Sequence, residues 1–206
     1  GKTVLVTGHT GFIGSWLTLW LKYLGANIIG YSLNPPTNPS LFDVLNLDNE
    51  IINVTSDIRD KKKLFETVKK YEPEFVFHLA AQSLVRDSYE NPLDTFEINV
   101  LGTANMLEVL RFSTTVKVAL IMTSDKCYDN KISNRPHKED DPMGGIDPYS
   151  ASKGAAELIT SSYKDSFFDT NDHKMSISTI RAGNILGGGD WAKDRIVPDS
   201  INAIDR

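Results

Sequence analysis

The run Thr7-Gly8-His9-Thr10-Gly11-Phe12-Ile13-Gly14 constrains this chain most, because it follows a short β-branched strand and opens an apolar helix. Glycines at this spacing allow a tight turn and a close backbone approach. A helix N-terminus presents unpaired N–H groups and a partial positive charge. Gly8, Gly11, Phe12, Ile13 and Gly14 are therefore candidate contacts of a dinucleotide pyrophosphate. A glycine turn that serves packing alone is the competing reading, and the agreement of strand, spacing and helix argues against it. His9 is expected to lie exposed in the loop, without a role.

Downstream, short apolar runs alternate with amphipathic stretches, which is the pattern of βαβ units and a parallel sheet. Strands are expected at 3–7, 27–31, 51–54, 75–80, 116–123 and 176–181, and helices at 12–24, 60–70, 92–113 and 149–168. The expected class is α/β, a Rossmann-type doubly wound parallel sheet. Segments 34–40 and 130–148, rich in Pro, Asn and Asp, are expected as loops. A last helix is expected to start near Pro198 and reach Arg206 without a cap. The expected organisation is one NAD(P)-binding domain over residues 1–206. Its part from about 181 would contribute to a substrate site, with a substrate-binding domain continuing beyond the chain.

With 40% hydrophobic and 24% charged residues, 206 residues suffice for one sizeable core. The net charge of −5 argues against a grip on nucleic acid. Cys127 is the single cysteine, which excludes an intrachain disulfide and a cysteine-only metal site and points to a reducing, cytoplasmic setting. No apolar run approaches the roughly 18 residues of a membrane span, and no signal-like segment precedes the first strand.

The end of the second strand, Tyr31-Ser32-Leu33-Asn34, carries neither an acid for a ribose nor an arginine for an extra phosphate. The missing cation points to NAD and leaves NADP open. Asp57, followed by Ile58, is placed after the third strand to meet an adenine amino group; a helix N-cap is the alternative.

Tyr149 and Lys153 stand at i and i+4, so both lie on one helical face. Lowering a tyrosine pKa of about 10 by about three units takes about 4 kcal/mol. One positive charge about 4 Å away, at an effective dielectric near 20, supplies that much. Lys153 is thus a sufficient cause on these grounds, and a surface pair is the alternative. Ser124-Asp125-Lys126 ends the fifth strand, where open α/β sheets bind ligands. It offers a hydroxyl, a carboxylate and an amine, more than hydride transfer needs; an ion pair in a loop is the alternative.

Taken together, the glycine loop, Phe77-His78-Leu79-Ala80-Ala81-Gln82, residues 123–128, the Tyr149/Lys153 pair and Arg181-Ala182-Gly183-Asn184 resemble the extended short-chain dehydrogenase/reductase family. The resemblance covers essentially the whole chain. Within that family, residues 8–12, 124–130 and Gly187-Gly188-Gly189-Asp190-Trp191 are similar to the group that dehydrates CDP-glucose. Many other nucleotide-sugar dehydratases have Asp-Glu where this chain has Asp125-Lys126. Ile13 departs from the lysine expected in many members of the group.

The resemblance implies oxidation of the sugar at C4, loss of water across C5 and C6, and reduction at C6. Tyr149, assisted by Ser124 and Lys153, would take the C4 hydroxyl proton, and Asp125 would protonate the departing hydroxyl. Lys126 would act at C5, either as a base made neutral by burial or as a charged group stabilising an enolate. Leu79, Ala80, Ala81 and Ser83 would line the cofactor, with Asn99 ordering the Tyr149/Lys153 relay through water. Gln82, Asn184 and Arg195 would meet the sugar nucleotide; for Asn184 a simple chain turn is the alternative. A homodimer would form through the helices at 92–113 and 149–168. A 4-epimerase, a dehydratase of another nucleotide, and an NAD(P)-binding module without turnover remain the competing readings.

Overall fold

Strands covered on both faces are largely apolar, as residues 3–7, 28–31 and 118–122 are here, whereas the edge segments 52–55 and 176–180 carry polar and exposed positions. The computed structural model describes residues 1–129, 135–170 and 173–204. In chain order, β1 (Thr3–Thr7) leads through α1 (Phe12–Tyr23) to β2 (Asn27–Ser32). A short α2 (Leu41–Val44) precedes β3 (Ile52–Thr55), and α3 (Lys61–Tyr71) precedes β4 (Phe75–His78). Three helices, α4 (Val85–Glu90), α5 (Pro92–Phe96) and α6 (Gly102–Arg111), lead to β5 (Val118–Met122). Then α7 (Pro148–Tyr163) runs to a small hairpin of β6 (Asp169–Thr170) and β7 (His173–Lys174), followed by β8 (Ser176–Ile180) and α8 (Ile196–Ile204).

Six of these strands form one parallel sheet in the order β3-β2-β1-β4-β5-β8, the doubly wound arrangement expected from the alternation of elements. Alternate side chains of one strand serve opposite faces. Leu5 packs with Ile29, Tyr31, Leu64 and Leu107, whereas Val4 and Val6 pack with Ile28, Leu17 and Leu21 of α1. The winding reverses between β1 and β4, so a crevice opens at the carboxyl ends of those strands.

Local chemistry explains the starts of two of the longer helices. Asp60 caps α3 by accepting from Lys63 N at 2.9 Å, and Asp147 caps α7 by accepting from Ser150 N at 2.9 Å, with Pro148 in the first turn. The single helix expected at 92–113 is instead α5 and α6 joined by a π-helical turn, Glu97–Leu101. Helices α2 and α4 and the β6/β7 hairpin were not expected, since elements of two to six residues are too short to show a period. The last helix starts at Ile196, two residues before Pro198. Of the loop expected at 130–148, residues 130–134 lie outside the described residues; the rest returns to the fifth strand's end through a bridge between Tyr128 and Met143.

Candidate active site

The glycine loop wraps the N-terminus of α1. Gly11 caps that helix without a side-chain bond, which leaves first-turn N–H groups facing outward. A Cβ on Gly14 would lie 2.1 Å from Gly8 O, so only glycine lets the helix sit this close to the turn. The loop forms one end of a cavity of about 530 Å³. Gly8, Gly11, Phe12, Ile13, Gly14, Asp57, Ile58, Leu79, Ala80, Ala81 and Ser83 all line it. These features fit a dinucleotide: a diphosphate would lie on the helix N-terminus, where no side chain blocks it.

His9 does not sit in that cavity as an exposed loop residue; it is fully buried beneath the loop. Gly30 on the neighbouring β2 makes the room, since a Cβ there would fall 2.4 Å from the imidazole. The ring binds Asn53 Oδ1 at 2.9 Å and meets Phe42 edge to face. Burial lowers its pKa to about 4 against the Asn53 hydrogen bond, so it is neutral near pH 7. At the end of β2, Thr10 Oγ1 is bonded to Ser32 Oγ and donates to Leu33 O, both at 2.9 Å. Ser32, Leu33 and Asn34 line the cavity there without a positive charge. Asp57 is not the cap of α3, which is Asp60. Its carboxylate instead receives Arg59 at 2.7 Å, and the guanidinium is bound further by Asp94 at 2.6 Å.

A second cavity, of about 730 Å³, adjoins the first. Ser124, Asp125, Lys126, Asn184 and Arg195 line it, and Tyr149 lies in the wall common to both. Tyr149 is 8% exposed and Lys153 5%, so neither belongs to a surface pair. Lys153 Nζ is 5.9 Å from the Tyr149 ring centroid and donates to Met122 O at 3.3 Å. This corrects the expectation that Lys153 alone accounts for an acidified phenol. Burial pushes Tyr149 above its ordinary value; a hydrogen bond with Ser124 and the charge of Arg195 draw it back. Burial also lowers Lys153, to about 8, against the charge of Glu157. Lys126 is exposed.

Of two further candidates, Gln82 lines the first cavity and Asn99 stands behind its wall. Asn99, in the π-helical turn, is buried; it accepts from Gln82 N at 2.8 Å and donates to Gln82 O and Ser152 Oγ, each at 2.9 Å. It does not line either cavity. The Gln82 side chain donates to Leu84 O at 3.0 Å and Thr95 Oγ1 at 2.9 Å and accepts from Leu84 N, which holds the start of α4. Asp190 and Trp191, quoted only for resemblance, line both cavities. Trp16 of α1 holds that segment by donating to Gly188 O at 3.0 Å. Glu157, one turn after Lys153, joins this site too, and its i+4 spacing from that lysine is the signal of it that the sequence carries. Among the described residues, no helix is long and apolar enough to cross a membrane.

A curated relative, the CDP-glucose 4,6-dehydratase of Salmonella typhimurium, is 49% identical over the whole chain. This chain spans 58% of that relative's length. Among solved structures, the UDP-glucose 4-epimerase of Thermus thermophilus in complex with NAD aligns with a TM-score of 0.79 at 28% identity, over 94% of this chain and 59% of that one. A dTDP-glucose 4,6-dehydratase of Streptomyces venezuelae shares the fold, with a TM-score of 0.85 at 23% identity over 99% of this chain and 62% of that one. The family model described as GDP-mannose 4,6 dehydratase matches residues 5–184, and the chain belongs to that family.

Proposed function

We propose that the protein is a lyase that removes water across C5 and C6 of CDP-glucose, giving the 4-keto-6-deoxy sugar nucleotide, with NAD as its resident cofactor. The observation that carries this reading is the placement of Tyr149 in the wall between a dinucleotide cradle and a second cavity that holds Asp125 and Lys126. NAD is favoured by the uncharged lining at the end of β2 and by the NAD complex of the Thermus relative. CDP is favoured by the Salmonella relative.

Bound NAD supplies the hydride chemistry at C4 and C6. Tyr149 receives the C4 hydroxyl proton while Ser124 hydrogen-bonds the same oxygen, and Lys153 and Arg195 provide positive charge for the phenolate. Asp125 gives its proton to the C6 hydroxyl as it leaves. The C5 proton, made acidic by the C4 ketone, leaves to water and returns to C5 when C6 is reduced, with Lys126 of the same turn beside the enolate. Asn184 and Arg195 hold the substrate diphosphate, so the stretch from Arg181 to Arg195 forms one side of the substrate site. A C4 epimerase is the second reading, favoured by the Thermus structure. Asp125 and Lys126 argue against it, because epimerisation has no leaving hydroxyl to protonate.

Incubating the full-length protein with CDP-, dTDP-, UDP- and GDP-activated hexoses, with mass analysis of products, tests this reading. Loss of one water from CDP-glucose is expected. Recovery of only the C4 epimer would establish the second reading. The exposed apolar residues Leu93, Leu101 and Leu158, on the helical segment 92–111 and on α7, support a homodimer paired through these helices. A buried, unreactive Cys127 thiol, pushed up to about 11 by burial, is in keeping with a cytoplasmic enzyme.

A further inference from the structure

Beneath the two cavities, α7 carries a second charged side chain one turn after Lys153. Glu157 is 6% exposed. Its carboxylate accepts from Arg181 Nε at 3.0 Å and Nη2 at 2.9 Å, from Thr179 Oγ1 at 2.8 Å, and from Thr123 Oγ1. Arg181 donates onward to Tyr128 Oη at 2.8 Å and to Glu139 O at 2.7 Å. Each partner borders a part of the site. Thr123 runs directly into Ser124-Asp125-Lys126, Arg181 begins the stretch that carries Asn184, and Glu157 shares its helix with Tyr149 and Lys153.

We propose that Glu157 is a positioning residue for this site: it clamps the ends of β5 and β8 to α7 and keeps a fixed negative charge one turn below Lys153. The inference rests on reading Tyr149 and Lys153 as the proton-handling pair. Burial works to raise the Glu157 carboxyl, but the hydrogen bonds from Arg181, Thr123 and Thr179 prevail and hold it below its ordinary range. The carboxylate is therefore ionised near neutrality, and it opposes the burial that lowers Lys153 to about 8. Without it, Lys153 would lose its proton at a pH closer to neutrality.

Other titratable groups around the pair do not supply this charge. His78 of β4 faces Lys153 but is held neutral, at about 3, by burial and by the lysine itself. Cys127 faces Glu157 as a neutral thiol. On other elements packed against α7, Glu108 pairs with Arg111, Asp94 and Glu97 with Arg59, Asp87 with Lys193, and Arg86 with Asp194. Asp125 and Asp147 bear on Tyr149, and Lys126, Lys164 and Asp165 also lie on segments against this helix, but Glu157 is the charge that bears on Lys153.

The test uses the full-length protein and the variants Glu157→Gln and Glu157→Asp. Lysine labelled at Cε is followed by NMR through a pH titration, with Lys153 assigned from Lys153→Arg, alongside the pH profile of kcat. In Glu157→Gln the Lys153 midpoint is expected to fall by about one pH unit, with the alkaline limb of kcat moving the same way. Glu157→Asp is expected to restore much of it. If the single variant does not fold because Arg181 is stranded, Glu157→Gln/Arg181→Met replaces it. The same downward shift is expected there, because Glu157 is the charge that bears on Lys153. An unchanged Lys153 midpoint in a folded variant, with only thermal stability reduced, would overturn the proposal and leave Glu157 a structural staple. A wild-type protein that turns over no sugar nucleotide would sink the functional reading instead, and the NMR midpoint would still decide on Glu157.

Discussion

Tyr149 has to ionise in a place where burial opposes it, and the structure answers with several groups of modest effect. Ser124 donates or accepts at the phenol, Arg195 lies within electrostatic reach, and Lys153 approaches the ring without touching the hydroxyl. Removing the phenol should therefore stop the first step outright. For Tyr149→Phe in the full-length protein, kcat is expected to fall by about 10²- to 10⁴-fold, with no absorbance from reduced cofactor in a single turnover. Lys126 lines the larger cavity, and its backbone, not its side chain, bonds the Ser124 hydroxyl that meets Tyr149. Lys126→Ala is expected to keep the first step, so reduced cofactor accumulates while deuterium exchange at C5 and product formation slow. Loss of cofactor reduction in Lys126→Ala, with ligand binding intact, would show that Lys126 serves the first step.

Between elements, polar side chains join backbone segments that have no ladder of their own. The π-helical turn of residues 97–101 is the clearest case, since it aims Asn99 at the Gln82 backbone and at Ser152 of α7. Gln82 then orders the start of α4, whose Ser88 accepts from Tyr149 N at 3.2 Å. Replacing Asn99 by alanine leaves an N–H and a carbonyl without partners, at a cost of about 1–3 kcal/mol. At about 2–4 °C per kcal/mol for a domain of this size, Tm is expected to drop by about 2–12 °C. Calorimetry checks this, and NAD affinity should weaken with it, because Ala81 and Ser83 flank the loosened residue. An unchanged Tm would show that water replaces the amide without loss.

Across the whole molecule, two histidines tie stability to pH. His9 and His78 have folded-state pKa values lowered to about 4 and about 3, chiefly by burial, against an ordinary value of 6.5. A depressed value means that the unfolded chain binds more protons, so the stability they contribute is complete above about 6.5. It is lost as pH falls through the interval below, at about 1.4 kcal/mol per pH unit per histidine. Glu74, held at about 2 by Lys117 and Lys2, loses its contribution only below its ordinary 4.5. Urea unfolding between about pH 7 and about pH 5 should thus show a decline of histidine origin, and His9→Gln should flatten it. At the same scale, light scattering is expected to give a dimer, and Leu101→Glu with Leu158→Glu a monomer, since charges would then face a paired apolar surface.

Sequence alone determined the features written in local backbone demands and in periodicity. The glycine loop, the alternation of strands and helices, and the i, i+4 pair of Tyr149 and Lys153 are each specified within a few residues. Most of the cofactor cavity follows from them, because the carboxyl ends of parallel strands meet in one crevice. Tertiary structure decided the rest. His9 is buried only because Gly30 on the adjacent strand leaves space. The Asn99 side chain binds the Gln82 backbone across 17 positions, and Glu157 meets Arg181 across 24. Whether such a polar side chain faces a ligand or another segment depends on which backbone groups the sheet order leaves without partners. That balance is set by contacts between distant parts of the chain, and no local pattern encodes it.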